Sequence, residues 1–124
     1  MAPGPTYATR EHVEQRLRGS EPGGDPLDAW VAGLTPEQTA TLRGHLPAQL
    51  NRAAVMVPLV ERAEGLTVLL TQRASHLKNH PGQISFPGGR IEPHDAGPWE
   101  AAVRETWEEI GLAPGFASRV GYLH

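Results

Sequence analysis

Residues 98–112 have the sequence PWEAAVRETWEEIGL, which predicts one amphipathic helix over residues 98–110. Side chains at steps of four, three and four residues would form one buried stripe along it. That stripe consists of Trp99, Val103, Thr106 and Ile110. Pro98 suits the first helical position, and Gly111 suits the C-terminal stop. This helix is the most strongly patterned element of the chain.

Three glutamates of this helix face away from the stripe: Glu105, Glu108 and Glu109. At about 100° per residue, their spacing places the carboxylates within about a third of the helix circumference. Like charges this close, near a helix C-terminus, oppose each other and the macrodipole. The arrangement therefore needs a cation, and hard carboxylate oxygens suit Mg²⁺ or Mn²⁺. A solvated acidic helix surface is the plain alternative.

The segment that precedes the helix has the opposite charge. Residues 65–91 contain no Asp or Glu. Their basic or protonatable side chains are Arg73, His76, Lys78, His80 and Arg90. A Gly-Gly turn lies between the basic loop and the acidic helix, and backbone can approach a ligand closely there. Because phosphate oxygens favour the basic segment and a divalent cation favours the acidic helix, the two predict a site for a metal-bridged polyphosphate.

Composition limits the class of protein. The chain has 124 residues, 39% of them hydrophobic, which is enough for one domain. Its 14 acids against 11 bases provide no overall attraction to nucleic acid or an anionic membrane, so neither is an expected partner. The chain has no cysteine, which excludes disulfides and thiolate metal sites. The lack of a targeting segment or a membrane-length apolar run predicts a cytoplasmic protein.

Residues 1–50 are predicted to form an N-terminal extension with short helices. The first helix covers residues 9–18, and a Gly/Pro-rich linker follows over 19–26. A second helix begins at a capping box formed by Thr35 and Gln38 and ends before Pro47.

Residues 51–124 contain apolar runs that are typical of strands. We predict one strand over 53–60, a five-residue turn over 61–65 and a second strand over 66–70. Further predicted elements are a loop over 73–83, a short strand over 84–86 ended by a Pro-Gly-Gly turn, and a strand over 117–123.

Residues 89–112 resemble the Nudix box, which has the pattern G, five residues, E, seven residues, REUxEExGU, with U aliphatic. The second half is present as RETWEEIGL at 104–112 and departs only at Thr106. In the first half, Asp95 stands in place of Glu, and eight residues instead of seven separate it from Arg104. Asp95 is therefore either a member of the site or only a loop carboxylate or helix cap.

Residues 69–89, LLTQRASHLKNHPGQISFPGG, are similar to the upstream signature of the coenzyme A pyrophosphatase branch of Nudix hydrolases. That branch commonly tolerates both the extra residue and the Asp. The resemblance covers about residues 52–123. It implies an α/β fold, with a mixed sheet between helices and the Nudix box as a loop-helix-loop.

The resemblance also implies roles for individual residues. Glu105 and Glu109 would be the principal metal ligands, Glu108 a further or water-mediated ligand, and Gly89 a carbonyl ligand. Arg104 would hold a glutamate of the cluster in place, or would form only an i to i+4 surface pair with Glu108. The residues that would line the coenzyme A side are Arg73, His76, Lys78, His80, Gln83, Ser85, Gly88 and Gly89.

The implied reaction is the Mg²⁺- or Mn²⁺-dependent hydrolysis of coenzyme A or acyl-coenzyme A. Its products are 3',5'-ADP and phosphopantetheine or the acyl derivative. One of the carboxylates would act as the general base, and the sequence does not identify which. A second hypothesis keeps this chemistry but assigns another nucleoside diphosphate derivative as the substrate.

A third hypothesis is a catalytically inactive Nudix fragment that serves as a binding module. Only twelve residues follow Leu112, whereas the Nudix fold usually adds several strands and another helix. The resemblance therefore implies a fold that is incomplete at the C-terminus. The apolar stripe of the box helix would then be covered by residues 1–50, by another chain, as in a homodimer, or by further sequence.

Overall fold

A computed structural model describes residues 8–123; residues 1–7 of the predicted N-terminal extension and residue 124 lie outside this description. Three helices come first along this part of the chain, followed by six short strands and a fourth helix, and this mixture of elements belongs to the expected α/β class. In order they are α1 (Arg10–Leu17), α2 (Pro26–Val31), α3 (Pro36–His45), β1 (Ala53–Val55), β2 (Leu59–Arg62), β3 (Gly65–Val68), β4 (Thr71–Gln72), β5 (Ile84–Ser85), β6 (Gly88–Arg90), α4 (Pro98–Ile110) and a 3₁₀ turn (Pro114–Phe116).

The helix ends follow local capping chemistry. The capping box of α3 is confirmed: Gln38 N–H donates to Thr35 Oγ1 at 3.2 Å, and Thr35 N–H donates to Gln38 Oε1 at 3.0 Å. The predicted bounds of α4 are confirmed at both ends. Helix α2 was not predicted; it begins at a proline that directly follows the N-cap Asp25. That Asp-Pro pair is a helix-start signal that was assigned to the linker.

The strands form three antiparallel pairs, β1 with β6, β2 with β3, and β4 with β5. Ala54 of β1 lies opposite Gly89 of β6, and Leu59 of β2 lies opposite Val68 of β3. The resemblance implies one mixed sheet; in the part of the chain that the structure describes, the pairs stay separate and antiparallel.

The prediction of one strand over 53–60 is wrong, because the chain changes partner in its middle. Met56 N–H donates to the carbonyl of Pro87 at 2.8 Å, which continues the pairing of β1 with β6. Pro58 has no N–H to donate, so the ladder cannot run through it, and its carbonyl accepts from Leu69 N–H at 3.1 Å. β2 therefore starts a new pair with β3.

The predicted five-residue turn is wrong as well. Arg62 lies directly opposite Gly65, so only Ala63 and Glu64 connect the two strands. Two-residue loops match the twist of an antiparallel hairpin, and the glycine that suggested a longer turn instead begins β3.

Residues 88–90 form β6, although the sequence predicts a turn there. The glycines are needed because β6 lies very close to β1. A Cβ at Gly88 would collide with the carbonyl oxygen of Ala54 and lie 2.6 Å from Val55 Cα. Since glycine is depleted in strands generally, the composition of this segment hides its conformation.

The predicted strand over 117–123 is also wrong: this segment is irregular and lies against α1 instead of pairing with a strand. Ser20 Oγ donates to the carbonyl of Leu17 at 2.6 Å and accepts from Tyr122 N–H at 2.8 Å. A Cβ at Gly121 would lie 2.6 Å from Leu17 Cβ. The N-terminal helix therefore contacts the far end of the chain directly.

We expect Gly121→Ala to separate α1 from residues 117–123, because the new methyl group would lie 2.6 Å from Leu17 Cβ and 2.8 Å from the Leu17 carbonyl. Loss of this contact, about 1 kcal/mol, should make limited proteolysis within residues 19–26 about fivefold faster. Gly115→Ala is the control, since a Cβ there meets nothing within 4 Å. Equal cleavage rates in the two variants would contradict the contact.

The α4 helix packs on β1 and β6 through small side chains. Ala101 and Ala102 are 0% and 4% exposed, and Thr106 is 1% exposed. The predicted stripe is thus partly wrong: Thr106 is buried, but Ile110 is 39% exposed. The alanines face the glycine strand because only small residues let the helix and the strand approach closely.

Thr106 can replace an aliphatic residue because its hydroxyl is satisfied inside the helix, donating to the Ala102 carbonyl at 2.6 Å. Across residues 8–123, every helix is too short or too polar to cross a lipid bilayer.

Candidate active site

Arg104 is the centre of a polar network on α4. Its Nε and Nη2 donate to the two carboxylate oxygens of Asp95 at 2.9 and 2.8 Å. Nη2 also donates to the Arg90 carbonyl at 3.0 Å, and Nη1 donates to Glu105 Oε1 at 3.0 Å. The contact with Glu108 is the longest, at 3.4 Å. Arg104 is therefore far more than an i to i+4 surface pair with Glu108.

Asp95 is the nearly buried partner of this arginine, with 3% of its side chain exposed. Its Oδ2 also accepts from the Glu92 N–H at 2.8 Å. Hydrogen bonds from Arg104 and then from Glu92 hold the pKa of Asp95 well below its usual range, and the bond to Asp95 raises the pKa of Arg104. Asp95 does not cap the helix, because the N-cap position is Gly97.

The backbone of β6 lies against the carboxylate of Glu105. A Cβ at Gly89 would lie 2.6 Å from Glu105 Cδ and 2.8 Å from each of its carboxylate oxygens. Real Cβ atoms essentially never come that close to another heavy atom. The Glu105 carboxylate can therefore occupy this position only because residue 89 is a glycine. Glu105 is thus held between Arg104 on one side and the Gly89 backbone on the other.

Glu109 lies one helical turn further along and contacts the same strand. The backbone N–H of Gly88 acts to lower the pKa of its carboxylate. Partial burial, reinforced by the charges of Glu105 and Glu108, raises the pKa of Glu109, while Arg73 acts in the opposite direction. We call Glu105, Glu108 and Glu109 the acidic face.

Residues 73–83, the basic loop, connect β4 and β5. Arg73 N–H donates to the Gln83 carbonyl at 2.9 Å, and Gly82 N–H donates to the Arg73 carbonyl at 3.1 Å, which closes the base of the loop. Arg73 Nε donates to the Asn79 carbonyl at 3.2 Å. The charge of Arg73 acts to lower the pKa of Glu109.

The predicted coenzyme A residues that precede β6 all lie at the surface. Those with exposed side chains are Arg73, His76, Lys78, His80, Gln83 and Ser85. Within residues 8–123, no side-chain hydrogen bond connects them to α4. The structure places Gly88 and Gly89 in β6, which packs against α4, and the charge of Arg73 acts on Glu109.

Comparison with known proteins identifies the family. A family model described as the NUDIX domain matches residues 50–124, which is more than half of the chain. The chain belongs to the Nudix family.

The relatives of this Nudix chain are themselves named as hydrolases. A probable Nudix hydrolase of Schizosaccharomyces pombe is 53% identical over 64 residues, which are 52% of this chain and 22% of that protein. An uncharacterized Nudix hydrolase NudL of an Enterobacter species is 49% identical over 76 residues, 60% of this chain and 39% of that protein. NudL of Yersinia pestis is 39% identical over 88 residues, which are 71% of this chain and 44% of that protein. The aligned part spans less than half of each relative.

Nudix hydrolases generally use divalent ions such as Mg²⁺ or Mn²⁺, and the acidic face offers the carboxylate oxygens that such ions prefer. Residues 8–123 contain no three Asp, Glu or His side chains already gathered around one point. Glu105 and Glu108 instead contact Arg104. Glu108 is 54% exposed and its contacts with Arg104 are the longest of that network, so its carboxylate is accessible to a cation, and the oxygens of this face are chemically of the kind that Mg²⁺ or Mn²⁺ prefers.

Two parts of this Nudix site were not identified from sequence. The Arg90 carbonyl and the Glu92 N–H are backbone groups, so no residue type at those positions signals their role. The spacing between Asp95 and Arg104 differs from that of the Nudix box, and this difference argued against a role for Asp95. In the structure Asp95 nevertheless binds Arg104.

Proposed function

We propose that this chain carries the metal-binding and diphosphate-binding part of a Nudix hydrolase that cleaves coenzyme A or acyl-coenzyme A. The observation that carries the proposal is the position of the basic loop. Its Arg73 acts electrostatically on Glu109 of the acidic face, and the loop belongs to the segment that is similar to the coenzyme A signature. A basic segment and an acidic helix surface are the two partners that a metal-bridged diphosphate requires.

Glu105 and Glu109 would be the principal metal ligands, and Glu108 would be a third. Their support is that Gly89 brings the β6 backbone directly onto Glu105, and that Glu109 is the next carboxylate along the same side of α4. The Gly89 carbonyl would be a further ligand from the same strand. Arg73, with the exposed side chains of the basic loop, would contact the phosphate and adenosine side of coenzyme A.

Hydrolysis joins a water oxygen to one phosphorus and breaks the bond from that phosphorus to the bridging oxygen. A bound Mg²⁺ or Mn²⁺ ion would offset the charge of the diphosphate and lower the pKa of the attacking water. Carboxylates of the acidic face accept the proton, and Arg73 stabilises the charge of the departing phosphate. The products are 3',5'-ADP and phosphopantetheine or its acyl derivative.

The direct test incubates the 124-residue chain with coenzyme A and Mg²⁺ or Mn²⁺ and follows 3',5'-ADP by chromatography. We expect metal-dependent release of 3',5'-ADP that stops when EDTA removes the metal. ADP-ribose and nucleoside triphosphates are assayed in parallel, and coenzyme A should have the highest kcat/KM.

Other outcomes contradict different parts of the proposal. Faster turnover of ADP-ribose or a triphosphate would reject coenzyme A and retain the Nudix chemistry. Binding of Mn²⁺ and coenzyme A without turnover would favour the binding-module hypothesis for this chain. No Mn²⁺ binding would reject the acidic face as a metal site.

A further inference from the structure

His80, near the tip of the basic loop, has an unusual backbone conformation. Within residues 8–123 it is the one non-glycine residue with a positive φ, 49°. The left-handed region is costly for a residue with a Cβ, and the proline that follows His80 disfavours it further. Residues 80–83 form a turn of type II geometry, which explains the φ of 70° at Gly82 in its third position. The turn does not explain the conformation of His80, because its first residue needs no positive φ.

Two hydrogen bonds hold the peptide groups on either side of His80. Arg73 Nε donates to the Asn79 carbonyl at 3.2 Å, and Gln83 N–H donates to the His80 carbonyl at 3.3 Å. The Arg73 backbone also closes the base of the loop, because its N–H donates to Gln83 and its carbonyl accepts from Gly82. A strained residue persists only where its surroundings fix it, and such residues cluster at functional sites. Arg73 is therefore a positioning residue for His80.

The side chains near the tip of the loop are cationic or protonatable and lie in solvent. They are His76, Lys78 and His80, in a segment, residues 65–91, that contains no Asp or Glu. The charge of Arg73, at the base of the loop, acts on Glu109 of the acidic face. In the described part of the chain, no side-chain hydrogen bond connects the tip to α4. The loop thus offers anions two separate positions, one at its base and one at its tip.

Coenzyme A carries phosphate at two separate positions as well. One is the diphosphate bridge, and the other is the 3'-phosphate of the ribose, which remains on the product 3',5'-ADP. We propose that the tip of the basic loop binds this 3'-phosphate through His80 and Lys78, while the acidic face and Arg73 hold the diphosphate. The identity of the substrate rests on the proposed function. The new assignment is the group by which this chain distinguishes coenzyme A from ADP-ribose, which lacks the 3'-phosphate.

The held backbone favours this contact. Because the loop is fixed before the substrate arrives, less conformational entropy is lost when the imidazole and the ammonium group contact the phosphate. Both side chains carry N–H donors, and hydrogen bonds from such donors to an ionised phosphate are among the strong ones.

The first test compares coenzyme A with 3'-dephospho-coenzyme A, using the full chain and Mn²⁺. We expect kcat/KM to be about tenfold or more higher for coenzyme A, the range for a hydrogen bond to a charged group. His80→Asn should reduce this preference to about twofold, chiefly through KM for coenzyme A, because asparagine tolerates a positive φ but lacks the imidazole. His12→Asn makes the same change at an exposed histidine of α1 and should retain the preference.

A second pair of variants tests position separately from charge. Gly82→Ala keeps every cation of the loop, and its Cβ would meet nothing within 4 Å, so it acts only on the backbone at φ 70°. It should displace His80 and reduce the preference as far as His80→Asn does. Gly115→Ala is the control, since its Cβ also meets nothing and the residue has no positive φ. A full preference in Gly82→Ala would overturn the proposal, because the held turn would not be needed.

Binding measurements decide the proposal even if this chain hydrolyses neither compound. Calorimetric titration should give a Kd about tenfold lower for 3',5'-ADP than for 5'-AMP, and His80→Asn should remove the difference. That result without turnover would reject hydrolysis and retain the 3'-phosphate site. Equal affinity for the two nucleotides, or a difference that survives His80→Asn, would overturn the 3'-phosphate site and leave the proposed hydrolysis intact.

Discussion

Glu109→Gln should weaken Mn²⁺ binding and slow the release of 3',5'-ADP by about 100-fold or more, while the fold is retained. Glutamine keeps the size and shape of the side chain and retains an oxygen that can accept hydrogen bonds. It removes the negative charge that a cation would bind. Calorimetric titration with Mn²⁺ and the coenzyme A assay measure the two losses.

The same substitution should not destabilise the protein without metal. Partial burial and neighbouring carboxylates raise the pKa of Glu109, so ionised Glu109 opposes folding. For an acid whose pKa is higher in the folded state, that opposition is fully present above the raised pKa. It disappears as the pH falls below the ordinary value of 4.5. Glu109→Gln should therefore melt at the same or a higher temperature at pH 7, and the advantage should vanish near pH 4.

Glu100→Gln is the matched control for charge removal on α4. Glu100 is exposed and precedes Glu109 by nine residues, about two and a half helical turns, so it lies on the opposite side of the helix. It should retain Mn²⁺ binding and turnover. Equal losses from Glu100→Gln and Glu109→Gln would show that general charge, not the acidic face, binds the cation.

Two substitutions at adjacent residues should have different effects. Gly89→Ala should reduce Mn²⁺ affinity and turnover, and Gly88→Ala should reduce the stability of the fold. At Gly89 the atoms nearest to the new methyl group are those of the Glu105 carboxylate, with Cδ at 2.6 Å, and a flexible side chain can move away. We therefore expect a nearly unchanged melting temperature and a loss of Mn²⁺ affinity and turnover of about 10- to 100-fold. At Gly88 the methyl group meets the backbone of Ala54 and Val55, which cannot yield without opening the pair of β1 and β6.

Gly88→Ala should accordingly cost about 1–3 kcal/mol of stability, the range for overpacking. Thermal and urea unfolding measure the loss of stability. Mn²⁺ titration, at a temperature where both variants are folded, measures the loss of Mn²⁺ affinity. A Gly89→Ala variant that loses stability as much as Gly88→Ala would contradict the assignment of Gly89 to the Glu105 carboxylate. Full Mn²⁺ affinity in folded Gly89→Ala would contradict the role of that carboxylate.

Much of the candidate site could be predicted from the sequence because it depends on one helix. The 3.6-residue period places Glu105, Glu108 and Glu109 on one side whatever the surroundings, and Pro98 and Gly111 mark the ends of α4. The predicted stripe was only partly correct. Which apolar residues are buried depends on what packs against the helix, and here a glycine strand packs against Ala101 and Ala102.

Local chemistry in the sequence thus determined the helices, their caps and the shared face of the three glutamates, because these depend on neighbours within a few residues. The tertiary structure alone decided that the Gly-Gly segment is a strand, that Pro58 separates two pairs, and that residues 117–123 lie along α1. It also decided that Asp95 binds Arg104 despite its shifted spacing. Each of these features depends on a contact between segments that are distant in sequence or lie on opposite sides of a loop. The energy of such a contact depends on the distance between atoms in the folded chain, which residue types and their spacing in the sequence do not give.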